Sequence, residues 1–161
     1  MQVSQIEPML DYIDIFQVGA RNSQNFNLLD ELGKVDKAVM LKRGISGSID
    51  ELLQSAEYVF SNGNEKIILC ERGVSVPHTH RSTSRFLLDL QVIPAAKELT
   101  HLPIVSDPSH ATFWRPWVKP MALASIAAGA NGIMLEVHPD PDNAAVDPLQ
   151  PVNYADFHQL M

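Results

Sequence analysis

Short apolar runs alternating with amphipathic helical stretches predict an α/β domain built on a parallel sheet. Two further observations support this. The apolar runs are of strand length and rich in Ile, Val and Leu, and charged or amide residues follow each of them on its C-terminal side. At 161 residues, 45% hydrophobic, the chain suits one domain with one core and is too apolar for disorder. Its 12 Lys+Arg against 19 Asp+Glu give a net charge of -7 with no basic run, which argues against nucleic acid or an anionic membrane as the main partner. A local cationic pocket remains compatible with that balance. The single cysteine, Cys70, excludes an intramolecular disulfide and suits a reducing compartment. The first residues lack a signal-peptide pattern and no apolar run reaches spanning length, so a cytoplasmic location is expected.

The spacing predicts strands over Ile13 to Val18, Ala38 to Lys42, Lys66 to Glu71, Pro103 to Asp107 and Gly132 to Val137. Helices are predicted over Ser4 to Tyr12, Ser23 to Leu32, Ile49 to Ser61, Phe86 to Leu99, Lys119 to Ala128 and from Tyr154 onward. The third has the clearest signals. Ser48-Ile-Asp-Glu51 is a capping box, Leu52, Leu53, Ala56, Val59 and Phe60 share a face, and Asn62-Gly63 ends it.

Polar chemistry collects on one side of these strands: Gln17 and Arg21, Lys42 and Arg43, Glu71 and Arg72, Asp107 and His110, Glu136 and His138. In parallel α/β folds the C-terminal strand ends carry the active site. Any one of Gly-Ala-Arg21-Asn, Lys42-Arg43-Gly44 and Glu71-Arg72-Gly73 could be an ordinary solvated loop. Together they bring several cations to one face and favour a pocket for a phosphorylated anion. Asp107, His110, Glu136, His138 and Asp147 add His and carboxylate groups suited to a divalent metal such as Mn, Fe, Co or Zn, although each singly is better explained as structural. Cys70 reads as a small buried apolar residue. The pair His78-Thr-His80 lies in the long loop after the third strand, and Phe113, Trp114 and Trp117 in the loop after His110, where they could wall a site or form a subunit contact.

From Tyr12 to Asp147 the motifs Gln17-Val-Gly-Ala-Arg21-Asn, Leu41-Lys42-Arg43-Gly44, Leu69-Cys70-Glu71-Arg72-Gly73, Asp107-Pro-Ser-His110 and Glu136-Val-His138-Pro-Asp-Pro occur in order. This ordered set resembles the 3-deoxy-7-phosphoheptulonate (DAHP) synthases, in the branch similar to the 3-deoxy-octulosonate 8-phosphate synthases. The resemblance implies a (β/α)8 barrel that condenses phosphoenolpyruvate with erythrose 4-phosphate, the first step of the shikimate pathway. It implies that Lys42 and Arg72, helped by Gln17 and Arg21, hold phosphoenolpyruvate. It also implies that His110, Glu136 and Asp147 are divalent-metal ligands, with His110 joining Lys42 and Arg72 in catalysis. Asp147 follows Glu136 by eleven residues, as the family's last ligand follows its Glu.

A complete barrel of this kind takes roughly 250 residues. The expectation is therefore that residues 1 to 161 form an incomplete barrel domain, a partial (β/α)8 TIM barrel of about strands four to eight. By this resemblance the early strands are missing. With them go the Cys of the family's Cys-Ser-Val-Glu stretch, its fourth metal ligand, and the Lys-Pro-Arg-Thr-Ser loop for the sugar phosphate. A homo-oligomer or a complementary barrel fragment is the expected protein partner, and activity of the chain alone is left open. A non-catalytic remnant that binds an anion, or octulosonate 8-phosphate synthase-like activity, are the alternative expectations.

Overall fold

In each candidate strand, alternate apolar residues must be withdrawn from water on one side while their neighbours face the other way. The computed structural model, which describes residues 1–77, 80 and 86–161, resolves this into a single layered arrangement. In chain order the elements are α1 (Ile6–Met9), β1 (Ile15–Val18), α2 (Phe26–Leu32), β2 (Ala38–Lys42), α3 (Ile49–Ser61), β3 (Ile67–Glu71), β4 (Val74–Ser75), β5 (Phe86–Leu87), α4 (Val92–Leu99), β6 (Ile104–Ser106), α5 (Pro108–Thr112), α6 (Arg115–Ala127), β7 (Gly132–Ile133) and α7 (Tyr154–Leu160). Five strands form a sheet in the order β1-β2-β3-β6-β7, all parallel, as expected of consecutive β/α units.

Strand parity divides the sheet into two faces. Phe16, Val18, Val39, Leu41, Ile67, Leu69 and Ile104 join Leu28, Leu29 and Leu32 of α2, Leu52, Ala56 and Val59 of α3, and Val92, Ile93 and Ala96 of α4 in one buried core. On the opposite face the register aligns Gln17 with Met40 and Ile68, and Lys42 with Cys70 and Val105. That second row lies at the C-terminal end of β2, which brings a lysine to the mouth of the sheet.

The third helix has its predicted bounds and the capping box, with the Glu51 N–H donating to Ser48 Oγ and the Ser48 N–H to Glu51 Oε2. Prolines account for most of the differences elsewhere. Phe86 to Leu99 does not form one helix: Phe86–Leu87 pairs antiparallel with Val74–Ser75, and α4 begins at Val92. A helix running from Phe86 would place Pro94 in its interior, whereas the observed start puts it in the first turn, where no donor is needed. Pro8 likewise falls in the first turn of the short α1 rather than inside the longer helix predicted there. Helix α6 starts at Arg115, with Pro116 in its first turn, so Trp117 is helical and not in a loop. The last strand stops at Ile133, beyond which Val137 makes an isolated bridge to Val152. Gly73, at φ +89°, permits the tight turn after β3, where a Cβ would approach that of Ala111 within 2.9 Å.

Among the described residues β1 pairs on one side only, and Ile15 on it is 42% exposed. An open parallel edge with an exposed β-branched residue invites pairing. The purified chain should therefore form dimers or larger assemblies at micromolar concentration, which light scattering would detect; a monodisperse monomer would contradict this.

Candidate active site

Two adjacent charged pairs end β2 and β3, and pleat alternation sends their members to different places. Lys42 and Arg72 border a cleft at the strand C-termini, while Arg43 and Glu71 pair with each other. Glu71 is fully buried. Its Oε2 accepts from Arg43 Nη1 at 3.0 Å, and its Oε1 accepts from the N–H groups of Gly73 at 2.7 Å and Asp89 at 3.2 Å. Arg43 also donates to Asp89 Oδ2 at 2.8 Å and to the Gly47 carbonyl at 2.8 Å. This pair ties three loops together directly beneath Lys42 and Arg72. Burial raises the Glu71 carboxyl above its ordinary value, against the opposing pull of Arg43. Burial acts against the charge of Arg43 too, but its bonds to Asp89 and Glu71 outweigh it and raise its pKa.

The second cluster centres on Asp107, which has no exposed surface. Its Oδ1 accepts the His110 N–H at 3.0 Å, capping α5. Its Oδ2 accepts from Lys42 Nζ at 2.5 Å and lies 2.8 Å from His110 Nδ1, a close contact not aligned as a hydrogen bond. On the other side of the ring, His110 Nε2 is 3.1 Å from Glu136 Oε1. Glu136 is fixed through its backbone: its N–H donates to Ser109 Oγ, and its carbonyl accepts from Val152. Burial opposes the negative charge of Asp107, but His110 and Lys42 together hold its carboxyl below its ordinary value. Cys70, buried beneath this cluster, has its thiol pushed up to about 12 by burial and by Asp107. A thiol at that value is neutral and unreactive.

Gln17, Arg21, Lys42, Arg72, His110 and Asp147 all line one cleft of about 790 Å³, and Glu136 joins it through His110. The guanidinium of Arg72 is buried and sits 4.2 Å over the ring of Phe86, which holds its plane at the cleft wall. Arg21 and Gln17 are exposed. Asp147 has φ +49° and stands on a loop held by Arg115, which donates to the Pro151 carbonyl at 2.7 Å, to the Pro148 carbonyl at 2.8 Å and to Asp142 at 2.8 Å.

The His110 ring thus stands between two carboxylates, with Nδ1 beside Asp107 and Nε2 facing Glu136. Asp147 borders the same cleft but, among the described residues, no three His, Cys, Asp or Glu groups converge within metal-holding reach. His138 turns instead to its own loop, with Nδ1 2.7 Å from the Asp140 carbonyl. His78 lies outside the described residues, and His80 makes an edge contact with Trp117 at 6.3 Å between ring centroids.

Three residues that the sequence reading assigned to neither substrate nor metal organise the site: Asp107, Glu71 and Arg115. Asp107 was legible as the residue before Pro-Ser-His at a strand end, a pattern that caps a short helix, but its partner Lys42 is 65 residues away. Glu71 and Arg43 stood in plain view beside the two predicted ligands. Only the alternation within a paired strand distinguishes the members of each pair.

A model of the DAHP synthetase I family matches residues 1–161. The phospho-2-dehydro-3-deoxyheptonate aldolase of Thermotoga maritima is 46% identical over 94% of this chain and 44% of its own length. A 2-dehydro-3-deoxyphosphooctonate aldolase of Syntrophotalea carbinolica is 31% identical over 90% of the chain and 54% of its own. The solved structure of a truncated form of 3-deoxy-D-arabino-heptulosonate 7-phosphate synthase from Thermotoga maritima superposes with a TM-score of 0.93 and 44% identity, over 99% of this chain and 60% of that one. The chain thus spans about half the length of the relatives it matches.

Replacing Arg43 by Met leaves Glu71 buried without its counter-charge, and should cost about 3–5 kcal/mol in urea denaturation. The contribution of Asp107 has a defined pH window. Its folded carboxyl is held below 3.8, so its stabilisation is complete above that pH and is lost as pH falls through the lower folded value. Asp107→Asn should therefore lie closest to wild type at the most acid pH and fall behind it above 3.8, as read from denaturation curves across pH.

Proposed function

Because the chain belongs to the DAHP synthetase I family, we propose that its cleft binds phosphoenolpyruvate and serves its condensation with erythrose 4-phosphate. The observation that carries this reading is the convergence of Lys42, Arg72 and His110 on one cleft at the strand C-termini. Phosphoenolpyruvate presents a phosphate and a carboxylate on three carbons, and two fixed cations with an exposed arginine and amide at the rim match that distribution. Arg72, restrained against Phe86, offers a planar fork to one group, and Lys42 a point charge to the other. Arg21 and Gln17 complete the rim.

In the reaction, C3 of phosphoenolpyruvate bonds to the aldehyde carbon, water adds at C2, and the C2–O bond breaks to release phosphate and leave the ketone. Of the two protons of the water, one ends on the new hydroxyl and the other leaves with the phosphate as the ketone forms. Lys42 and Arg72 hold the enol phosphate against the aldehyde and stabilise charge on the leaving phosphate. The family resemblance assigns His110, Glu136 and Asp147 to a divalent metal, but among the described residues they do not converge on one point, and no step is routed through such an ion. Asp107 caps the turn that carries His110, which leaves Nε2 facing Glu136. The higher identity to the heptonate than to the octonate relative favours the four-carbon sugar phosphate.

Phosphate release from phosphoenolpyruvate and erythrose 4-phosphate with manganese, followed by phosphorus NMR, tests activity. Equilibrium dialysis of phosphoenolpyruvate tests the cleft itself. Lys42→Ala and Arg72→Ala should each weaken that binding by about tenfold or more in chains that circular dichroism shows still folded, with Lys42→Ala less stable to urea because Asp107 loses its counter-charge. Wild-type affinity in both variants would overturn the assignment.

A further inference from the structure

Arg72 is followed by the segment 73–89, whose two ends meet on one buried oxygen. Glu71 Oε1 accepts the Gly73 N–H at 2.7 Å, where the segment begins, and the Asp89 N–H at 3.2 Å, where it returns. The Asp89 side chain is drawn to the same place, because its Oδ2 and Glu71 Oε2 both accept from Arg43 Nη1, at 2.8 and 3.0 Å. Between those ends β4 pairs with β5, with Ser75 opposite Phe86, and the Ser75 N–H donates to the Ile45 carbonyl. Gly73 itself packs on β5, since a Cβ there would lie 3.0 Å from that of Phe86. Phe86 in turn presents its ring to the Arg72 guanidinium at 4.2 Å. Contacts thus run unbroken from a fully buried carboxylate to the wall of the cleft, although Glu71 does not itself line it.

We propose that Glu71 is the positioning residue for Arg72: by holding both ends of segment 73–89 it sets the Phe86 ring, and the ring sets the plane of the guanidinium that receives the anion. The inference rests on the proposed role of Arg72. A guanidinium offers its donors in one plane, so its value to a phosphate or carboxylate depends on where that plane lies. Arginine has many rotamers, and stacking on an aromatic face restrains them only where the ring is itself fixed. A pair of two-residue strands is too short to fix it alone. Glu71 supplies the further restraint through two backbone hydrogen bonds and an ion pair, from a carboxylate that water does not reach. Its effect on a bound anion therefore passes through Arg72 and not through Lys42, whose ammonium is held by Asp107 at another strand end.

The amide of Glu71→Gln has one acceptor oxygen and one donor nitrogen, so it can serve Arg43 or the two N–H groups but not both. Equilibrium dialysis gives the dissociation constant of phosphoenolpyruvate for the wild type, Glu71→Gln, Arg72→Ala and Lys42→Ala. The same is measured for Glu71→Gln combined with each of the other two, in chains that circular dichroism shows folded. Glu71→Gln should weaken binding about fivefold alone and about fivefold again beside Lys42→Ala, but have almost no effect beside Arg72→Ala. A general loosening of the fold would weaken binding equally in both backgrounds, and that result overturns the inference. Wild-type affinity in folded Glu71→Gln overturns it too. A second measurement needs no ligand. Ring currents from Phe86 should displace the Arg72 side-chain proton resonances upfield in the wild type and release them in Glu71→Gln; an equal displacement in both overturns the inference. Should Glu71→Gln not fold, Asp89→Asn, which removes a carboxylate partner of Arg43 at the half-buried return of the segment, is read in the same way with a smaller expected loss. A wild type that does not bind phosphoenolpyruvate overturns the functional reading, and the resonances then decide the inference by themselves.

Discussion

A buried carboxylate with a lysine bonded to one oxygen and an imidazole close against it is an expensive feature, and the arrangement of this sheet exists around it. The charge of Asp107 is tolerable only because Lys42 and His110 reach it, and each does so from a different strand end. Lys42 reaches it because β2 and β3 are in register, with Lys42 level with Cys70 and Cys70 level with Val105, two residues before Asp107. His110 reaches it because Asp107 caps α5, which places the imidazole back over the cap. A one-residue slip in β2 would send Lys42 to the helix side and leave Asp107 uncompensated.

The same constraint explains the neighbouring pair. Lys42-Arg43 and Glu71-Arg72 each put opposite duties on consecutive residues. One member turns to the cleft, and the other to the interior behind it. Arg43 and Glu71 neutralise each other, and through Gly73, Asp89 and Gly47 they fasten the loops that border the cleft. The cleft is thus lined by cations whose adjoining residues cannot drift. Preorganisation of this sort costs stability in the fold and returns it as reduced reorganisation when an anion binds.

On its far side the cleft depends on a different device. The loop bearing Asp147 has no regular structure and gets its shape from carbonyls held by Arg115 at the start of α6. Glu136 is positioned through backbone bonds to Ser109 and Val152 rather than by a strand. The pairing of β7 ends at Ile133, so the groups at this side are placed by loops and those at the other by strand register.

Much of this was legible in the sequence, because patterns of period two and three to four residues are local. The α3 capping box, the apolar stripe behind it, the strand at Ala38–Lys42 and the one-sided collection of polar residues could each be read from neighbours within a few positions. So could the family, from the ordered motifs alone. The misread helix at Phe86 and the extended strand at Gly132 arose where a proline position or the loss of a pairing partner outweighed local propensity. The bond of Lys42 to Asp107, the pairing of Arg43 with Glu71 and the clamp of Arg115 on Pro148 and Pro151 join residues 28 to 65 positions apart. No local pattern contains such a separation, because the partners become neighbours only when parallel register and the crossover helices bring distant strand ends to one mouth.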